Sequence, residues 1–404
     1  MRIALFHNLP SGGAKRHTYE QVRELGRRGH QVDEYTLSSA DLAFTDLRPY
    51  VGLQHVEPVD WRPLEPIGVP GVGPYLHLLQ NGINLRRLAR VQKHVAEMID
   101  GRDYDLVFVK DCGYTLAPYL LRYITTPSVF YAHSAMSPIS ASLPAGNGAG
   151  AVAWVKSTLV GWPARAHHRL VMRVDRANAR KAGRILTNSV YTSSIVRERY
   201  GVAPHVVYPG VDTQGFAPTG AERGNYVLSV GALTPYKGHE LAIDAVSLLP
   251  ARIRPSLVVA AASGSQKTED LLYARARAVG VELTVSRPTV SDMPALYSRA
   301  RALLACAEGE PLGLTPLESM ACATPVVAVQ SGGYPETVRD GETGFVVERT
   351  AHAIADALSR LLPDHSLTER MGAAGRRYVE AEWTWQRAVD RLEEQFAAVL
   401  AEAR

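Results

Sequence analysis

Glu310 and Glu318 bracket the stretch EPLGLTPLE, in which seven residues separate two carboxylates across a Gly-Leu turn. The turn leads into a predicted helix. Thr315-Pro316-Leu317-Glu318 reads as an N-cap, a proline at the first helical position and an acid three residues after the cap. Backbone N–H groups at a helix start attract an anion. One carboxylate before the turn and another in the first helical turn would flank that anion. The arrangement suits a ligand with phosphates in the middle and hydroxyls at both ends, such as a nucleotide-sugar. A structural reading competes: Thr315 and Glu318 also form a capping box that serves only the helix. Glu310 has no comparable structural role, so its surroundings must decide.

Four further places put chemistry at predicted strand ends. Asn8-Leu9-Pro10-Ser11-Gly12-Gly13 follows the first strand and opens a helix. Paired glycines there let backbone approach a phosphate or sugar, although a plain turn would look the same. His133 ends the apolar run SVFYAHS, where it could donate to a sugar hydroxyl or serve as a satisfied structural histidine. Lys237, in GALTPYKGHE, stands near a helix start with an ammonium available to a diphosphate; a solvated lysine is the alternative. Gly332-Gly333-Tyr334-Pro335-Glu336 opens another helix, either giving a ligand access to backbone or simply starting the helix.

The elements that must carry these residues alternate short apolar strands with helical periods. Candidate strands at 2–7, 31–36, 105–109, 128–132, 184–187 and 206–208 form a first series. A second series lies at 226–230, 256–261, 281–285, 302–306, 325–328 and 344–347. Helical patterns between them indicate parallel βαβ units. The 404 residues exceed what one core accommodates. We therefore expect an N-terminal doubly wound domain over 1–208, a Pro/Gly-rich linker over 209–224 and a second such domain over 225–380. A C-terminal helix over 381–404 is expected to cross back to the first. Ligands of such sheets bind outside the carboxyl ends of the strands, here in the cleft where the two domains face each other.

The totals exclude several classes. A net charge of +4 does not argue for nucleic acid. Three scattered cysteines, with no CxxC pair and no HExxH, argue against a disulfide framework and a zinc site. No Walker A motif occurs. The apolar start MRIALFH lacks the features of a secretory signal, and no run of about eighteen apolar residues spans a bilayer. A soluble cytoplasmic protein is expected. One segment breaks the rhythm: 138–161 is rich in Ala, Gly, Ser and Pro, and 165–184 is basic with a helical period. It reads as a mobile loop and a solvated helix face, or as a lid or acceptor platform touching an anionic membrane surface.

Taken in order, these motifs are similar to one family. The chain resembles the retaining glycosyltransferases of family 4, which have the GT-B fold. The resemblance covers most of the chain. It is strongest from VLSVGALTPYKGHE through EPLGLTPLE to SGGYPETVRDGETGFVV. HNLPSGG, FYAHS and ILTNSVYTSSIV carry it in the first domain, and Glu382-Trp383-Thr384-Trp385 in the closing helix. It implies that Glu310 contacts the donor-sugar hydroxyls and Glu318 the ribose. Gly313, Leu314 and Thr315 at the helix start, with Lys237, would serve the diphosphate. Gly12 and Gly13 would close over the donor, and His133 would contact the transferred sugar near its reacting centre. The base would pack around Arg287 and the helix after Lys237. No metal or other cofactor is implied.

Two departures stand out. Ala232 occupies a position where the family usually has arginine, and Arg287-Pro288 stands where a glycine is common. Arg287 is the candidate replacement cation. The implied reaction is metal-independent transfer of a sugar from a UDP-hexose or GDP-mannose type donor to an acceptor hydroxyl, with retention. The acceptor class (small molecule, lipid-linked or polysaccharide) is not legible. The rival readings are a nucleotide-sugar epimerase or glycoside phosphorylase on the same fold, and a non-catalytic nucleotide-sugar binding protein.

Overall fold

A computed structural model describes residues 1–60, 73–133 and 151–403, and their side chains apart from 73–79 and 151–164. The chain divides into two compact units. The first comprises Met1–Asn188, Thr192–Val207 and Val389–Arg404, and the second Ser189–Tyr191 and Tyr208–Ala388.

The first unit contains β1 (Arg2–Asn8), α1 (Gly13–Arg27), β2 (Gln31–Leu37), β3 (Leu53–Glu57), α2 (Gly73–Asp100) and β4 (Leu106–Cys112). It continues with β5 (Ser128–Ala132), α3 (Ala151–Ala179), β6 (Arg184–Thr187), most of α4 (Val190–Tyr200) and β7 (His205–Val206). The seven strands form one parallel sheet in the order β3-β2-β1-β4-β5-β6-β7. Strands buried on both faces read as continuous apolar runs, which is why RIALF and LVFV were visible as strands. Their alternate residues divide between two cores. Ala4, Phe6, Val107, Val109 and Phe130 pack with α2, α3 and α4, while Ile3, Leu5, Leu106, Phe108 and Val129 pack with α1.

The second unit contains β8 (Tyr226–Val230), α5 (His239–Ser247), β9 (Ser256–Ala260), α6 (Gln266–Ala278), β10 (Leu283–Ser286) and α7 (Met293–Arg299). After these come β11 (Leu303–Ala305), α8 (Leu314–Ala321), β12 (Val326–Val329), α9 (Tyr334–Thr337), β13 (Gly344–Val347), α10 (Ala351–Leu361) and α11 (His365–Glu382). Its six strands run parallel in the order β10-β9-β8-β11-β12-β13 around a single core.

The segment 209–224 differs from a free linker. Val211 and Phe216 are buried in the second unit's core, the Val211 N–H donates to the Trp383 carbonyl, and Arg376 donates to the Phe216 carbonyl. The last helix, α12 (Trp385–Glu402), places Val389, Leu392, Phe396 and Val399 in the first unit's core beside Ile3, Leu5 and Phe108. That 3-4-3 spacing is one helical stripe. Arg28 reaches Asp390 and Glu393 at 2.8 and 2.7 Å and fixes the same helix. No described helix is long and apolar enough to cross a membrane.

Candidate active site

In the second unit, the site residues lie on connections that leave the carboxyl ends of β8, β11 and β12. After β8, Gly231 has φ 153°, and a Cβ there would stand 2.9 Å from Lys237 Cδ. The stem of Lys237 therefore lies over a position that only glycine leaves open. Gly238, at φ 74°, brings the loop against β11, since a Cβ would stand 2.3 Å from the Cys306 carbonyl oxygen. The Glu308 N–H donates to the Tyr236 carbonyl and ties the two loops together. The result is a 2.7 Å ion pair between Lys237 Nζ and Glu310 Oε2, both side chains about one-fifth exposed (18% and 19%).

The helix start after Glu310 corrects the sequence reading. The N-cap of α8 is Gly313, at φ 96° and ψ 87°, and no side chain caps the helix. Leu314 is the first helical residue, Thr315 the second and Pro316 the third, so no Thr315–Glu318 capping box forms. Glycine takes the cap because the backbone there is left-handed, a conformation threonine disfavours. A Cβ at Gly313 would also stand 2.5 Å from the Tyr334 ring. The first N–H groups of α8 are thus left without a side-chain acceptor and keep their affinity for an anion.

Glu318 is buried (5% exposed) and accepts the Tyr297 hydroxyl at 2.8 Å. The glycines after β12 hold the Glu310 loop. A Cβ at Gly332 would stand 2.2 Å from the Glu310 carbonyl oxygen, and one at Gly333 2.6 Å from Leu312 Cα. The Gly333 N–H donates to the Glu310 carbonyl at 2.8 Å, and the Gly309 N–H to Ser331 Oγ. The close approach that the paired glycines permit is to the protein's own Glu310 loop. Glu336, in the following helix, accepts the Val190 and Tyr191 N–H groups and the Tyr208 hydroxyl.

Arg287 lies elsewhere in the same unit. It follows edge strand β10, with β9 between it and β8, and donates to Glu269 Oε2 at 2.6 Å and to the Ala261 carbonyl. The structure does not bring it to the Lys237–Glu310 pair. At Ala232 a residue overlooked in the sequence acts on the backbone: the buried His239 Nε2 lies 3.2 Å from the Ala232 carbonyl oxygen, and its Nδ1 2.9 Å from Ser229 Oγ. Burial lowers the His239 pKa. A neutral ring with Nε2–H donating and Nδ1 accepting satisfies both contacts. Its signal was present in the sequence, as the histidine directly after Lys237-Gly238.

In the first unit, Gly12 is the N-cap of α1 at φ 143°. A Cβ at Gly12 or Gly13 would meet nothing within 4 Å, so this turn is open on its outer side. His133 directly follows β5 and is 6% exposed. Its backbone N–H donates to Asp111 Oδ2 at 3.0 Å, its carbonyl accepts from Asn188 Nδ2 at 3.0 Å, and its Nδ1 lies 3.5 Å from Asp111 Oδ2. His17 of α1 meets the His133 ring edge-on at 4.8 Å. Lys110, fully buried between the Phe108 and Tyr131 rings, donates to Gln21. Burial first, then Lys110, push the His133 imidazole far below its ordinary range. His17 is pushed the same way by burial, His133 and Lys110. Both rings are neutral near pH 7. Asp111, Asn188 and Lys110 were not singled out in the sequence, because they become site residues only through contacts made across the sheet.

Of the Ala/Gly/Ser/Pro-rich segment 138–161, residues 138–150 lie outside the described residues, and 151–161 belong to α3 and not to a loop. No group of three or more His, Cys, Asp or Glu among the described residues is arranged to hold a metal ion.

Two parallel α/β units of this design are the GT-B fold. Solved GT-B structures align over nearly the whole chain. The Anabaena HepE protein in complex with UDP matches at a TM-score of 0.73 and 17% identity over 98% of this chain and 100% of that one. A sucrose-phosphate synthase from Thermosynechococcus elongatus matches at 0.72 and 19% over the whole of both chains. The family described as glycosyltransferase family 4 matches residues 11–214, and that described as glycosyl transferases group 1 matches residues 212–378. The chain therefore belongs to glycosyltransferase family 4, and it is a glycosyltransferase. Its relatives include a GDP-mannose-dependent alpha-(1-6)-phosphatidylinositol monomannoside mannosyltransferase of Mycobacterium tuberculosis, 30% identical over 64% of this chain and 73% of the relative. Another is a D-inositol 3-phosphate glycosyltransferase of Salinispora arenicola, 32% identical over 55% and 56%.

Proposed function

We propose that this protein transfers a hexose from a nucleotide-sugar to an acceptor hydroxyl, with retention at the anomeric carbon and without a metal ion. The observation that carries this reading is the Lys237–Glu310 pair beside the uncapped start of α8. Lys237 and the N–H groups of Gly313, Leu314 and Thr315 supply positive potential for a departing diphosphate. Such preorganised donors do the work that a metal ion does elsewhere. Glu310 is held by Lys237 through one oxygen, and its carboxylate accepts donor-sugar hydroxyls. Glu318, anchored by Tyr297, accepts the ribose hydroxyls. His133 is a neutral ring whose Nδ1 lies 3.5 Å from Asp111 Oδ2, and its buried Nε2, with no hydrogen-bond partner among the described residues, is the atom left to meet a sugar hydroxyl.

The mannosyltransferase relatives favour GDP-mannose as donor, with UDP-hexoses as the second class. Their names also favour an acceptor built on an inositol or a lipid-linked polyol. The test incubates the purified protein with GDP-mannose and UDP-hexoses, with candidate inositol-type acceptors, with and without EDTA. The product linkage is read by NMR. Transfer that survives EDTA and keeps the donor's anomeric configuration supports the reading. An inverted product overturns retention, and loss with EDTA overturns metal independence. Nucleotide binding with no turnover on any acceptor favours a non-catalytic binding protein, and transfer to inorganic phosphate a phosphorylase.

A further inference from the structure

The turn that carries Lys237 also carries Tyr236. Pro235–Lys237 is a single 3-10 turn, entered from an extended Thr234 and closed by the left-handed Gly238. The Lys237 N–H donates to the Thr234 carbonyl at 3.0 Å and the Gly238 N–H to the Pro235 carbonyl at 3.2 Å. The Tyr236 carbonyl accepts the Glu308 N–H at 2.8 Å, which fixes this turn to the chain just before Glu310. All of these bonds are backbone bonds, so the turn itself has no need of a tyrosine side chain. Yet Tyr236 is 51% exposed, and it is the one exposed Phe, Tyr or Trp among the described residues of the second unit. The Lys237 ammonium stands 5.2 Å from its ring centroid and 2.7 Å from Glu310 Oε2. An open aromatic face, a cation and a carboxylate are thus gathered beyond the carboxyl ends of β8 and β11.

We propose that Tyr236 is a stacking platform for the pyranose ring of the transferred hexose. The inference rests on the reading of Lys237 and Glu310 as the diphosphate and sugar contacts. A hexose has a polar edge of hydroxyls and an apolar face of C–H bonds. Glu310 takes the edge, and an aromatic ring, negative at its face, takes the C–H groups. A tyrosine ring is flat and has few rotamers, so it presents this surface at little entropic cost. The rival use of the ring is to stack the nucleobase, and the layout is against it. Glu318, the proposed ribose contact, lies in the second turn of α8, buried against Tyr297 of α7. In a nucleotide-sugar the ribose separates the base from the diphosphate. That puts the base beyond Glu318 and the hexose at the Glu310 end, where Tyr236 is tied.

The experiment titrates GDP-mannose, GDP, UDP-glucose and UDP into the protein by calorimetry, for the parent, Tyr236→Phe and Tyr236→Ala. The comparison uses the nucleotide series that the parent binds. Tyr236→Ala should weaken the nucleotide-sugar about 3- to 10-fold and leave the matching nucleoside diphosphate unchanged. Tyr236→Phe, which keeps the aromatic face and drops the hydroxyl, should bind both as the parent does. Saturation-transfer NMR of the parent should mark the hexose C–H protons. Tyr236→Ala should lose that mark while the ribose protons keep theirs. The melting temperatures of both variants should match the parent. Equal weakening of nucleotide-sugar and nucleoside diphosphate overturns the proposal, since the ring would then serve Lys237 or the base. Unchanged affinity in Tyr236→Ala overturns it too, as does a Tyr236→Phe that behaves like Tyr236→Ala, which would put the contact at the hydroxyl. A parent that binds none of the four ligands overturns the nucleotide-sugar reading itself and the stacking with it, a failure that the parent titration alone reveals.

Discussion

The Lys237–Glu310 pair of the second unit and the His133 cluster of the first are held in opposite ways. In the second unit, Lys237 and Glu310 are both charged types, partly exposed and paired with each other at 2.7 Å. In the first, His133, His17 and Lys110 are buried, and burial favours the neutral form of each. The first arrangement keeps charge at the surface, where it meets a charged ligand. The second removes positive charge from the region around His133 and leaves a neutral ring beside the Asp111 carboxylate. The first suits a charged ligand and the second a neutral polar one.

The largest effect should come from the charged side. Lys237→Ala removes the ammonium proposed to meet the leaving diphosphate and leaves Glu310 without the Lys237 partner. Turnover should fall about 100- to 1,000-fold, the range seen when one preorganised donor is lost. Glu310→Ala should fall by a similar factor in transfer while nucleoside diphosphate binding changes little. Steady-state rates and calorimetric titration separate the two variants. Equal loss of nucleotide affinity in both would merge the roles that the comparison keeps apart.

Two glycines sharpen the contrast between scaffold and ligand surface. Gly333→Ala places a methyl 2.6 Å from Leu312 Cα and 2.7 Å from the Pro311 carbonyl oxygen, both backbone. We expect about 1–3 kcal/mol of destabilisation and lower activity, because the Glu310 loop must shift. Gly13→Ala meets no protein atom and no unfavourable φ. Its melting temperature should stay within error or rise slightly, while donor KM increases if backbone there approaches the ligand. Unchanged kinetics for Gly13→Ala would remove this turn from the donor site.

The neutral cluster makes a pH prediction. The folded-state pKa values of His17 and His133 lie below the ordinary imidazole value of 6.5. Below that value the unfolded chain takes up protons that the folded chain does not, so stability present above pH 6.5 is lost as pH falls. Each imidazole contributes a slope of up to about 1.4 kcal/mol per pH unit. Thermal melts at steps from pH 7.5 to 5 should show the loss, and His17→Gln should flatten it. A parallel pH dependence in parent and variant would mean that His17 is protonated in the folded state.

Much of the scaffold was legible because both sheets are buried on both faces, so RIALF, SVFYA and YVLSV stand out as apolar runs. β3 was missed for the converse reason: Leu53–Glu57 is an edge strand, only half-buried throughout, and LQHVE carries no apolar run. At the site, the identity of Glu310 and Lys237 was readable, but their contact was not, since it spans 73 residues of sequence. The capping box failed because a left-handed Gly313 begins the helix earlier than the Thr-x-x-Glu pattern suggests. The purpose of Gly332 and Gly333 was hidden for a similar reason. A glycine pair announces a close approach, and only the fold says to what.

Arg287 provides the smallest and most discriminating effect. As the replacement for the arginine missing at Ala232, it should matter to donor affinity. As found, it is 45% exposed and committed to Glu269 at 2.6 Å, an arrangement typical of surface pairs worth under about 1 kcal/mol. Arg287→Ala should therefore leave the melting temperature nearly unchanged. If the guanidinium leaves Glu269 for the donor, KM should rise about two- to five-fold, an effect that Glu269→Gln should reverse in sign by freeing the arginine. If neither variant moves KM, the diphosphate is held by Lys237 and the start of α8 alone. Ala232→Arg should then tighten donor binding by supplying a charge-assisted contact in addition to that of Lys237. The side-chain charge that the second unit offers a diphosphate would in that case be that of Lys237.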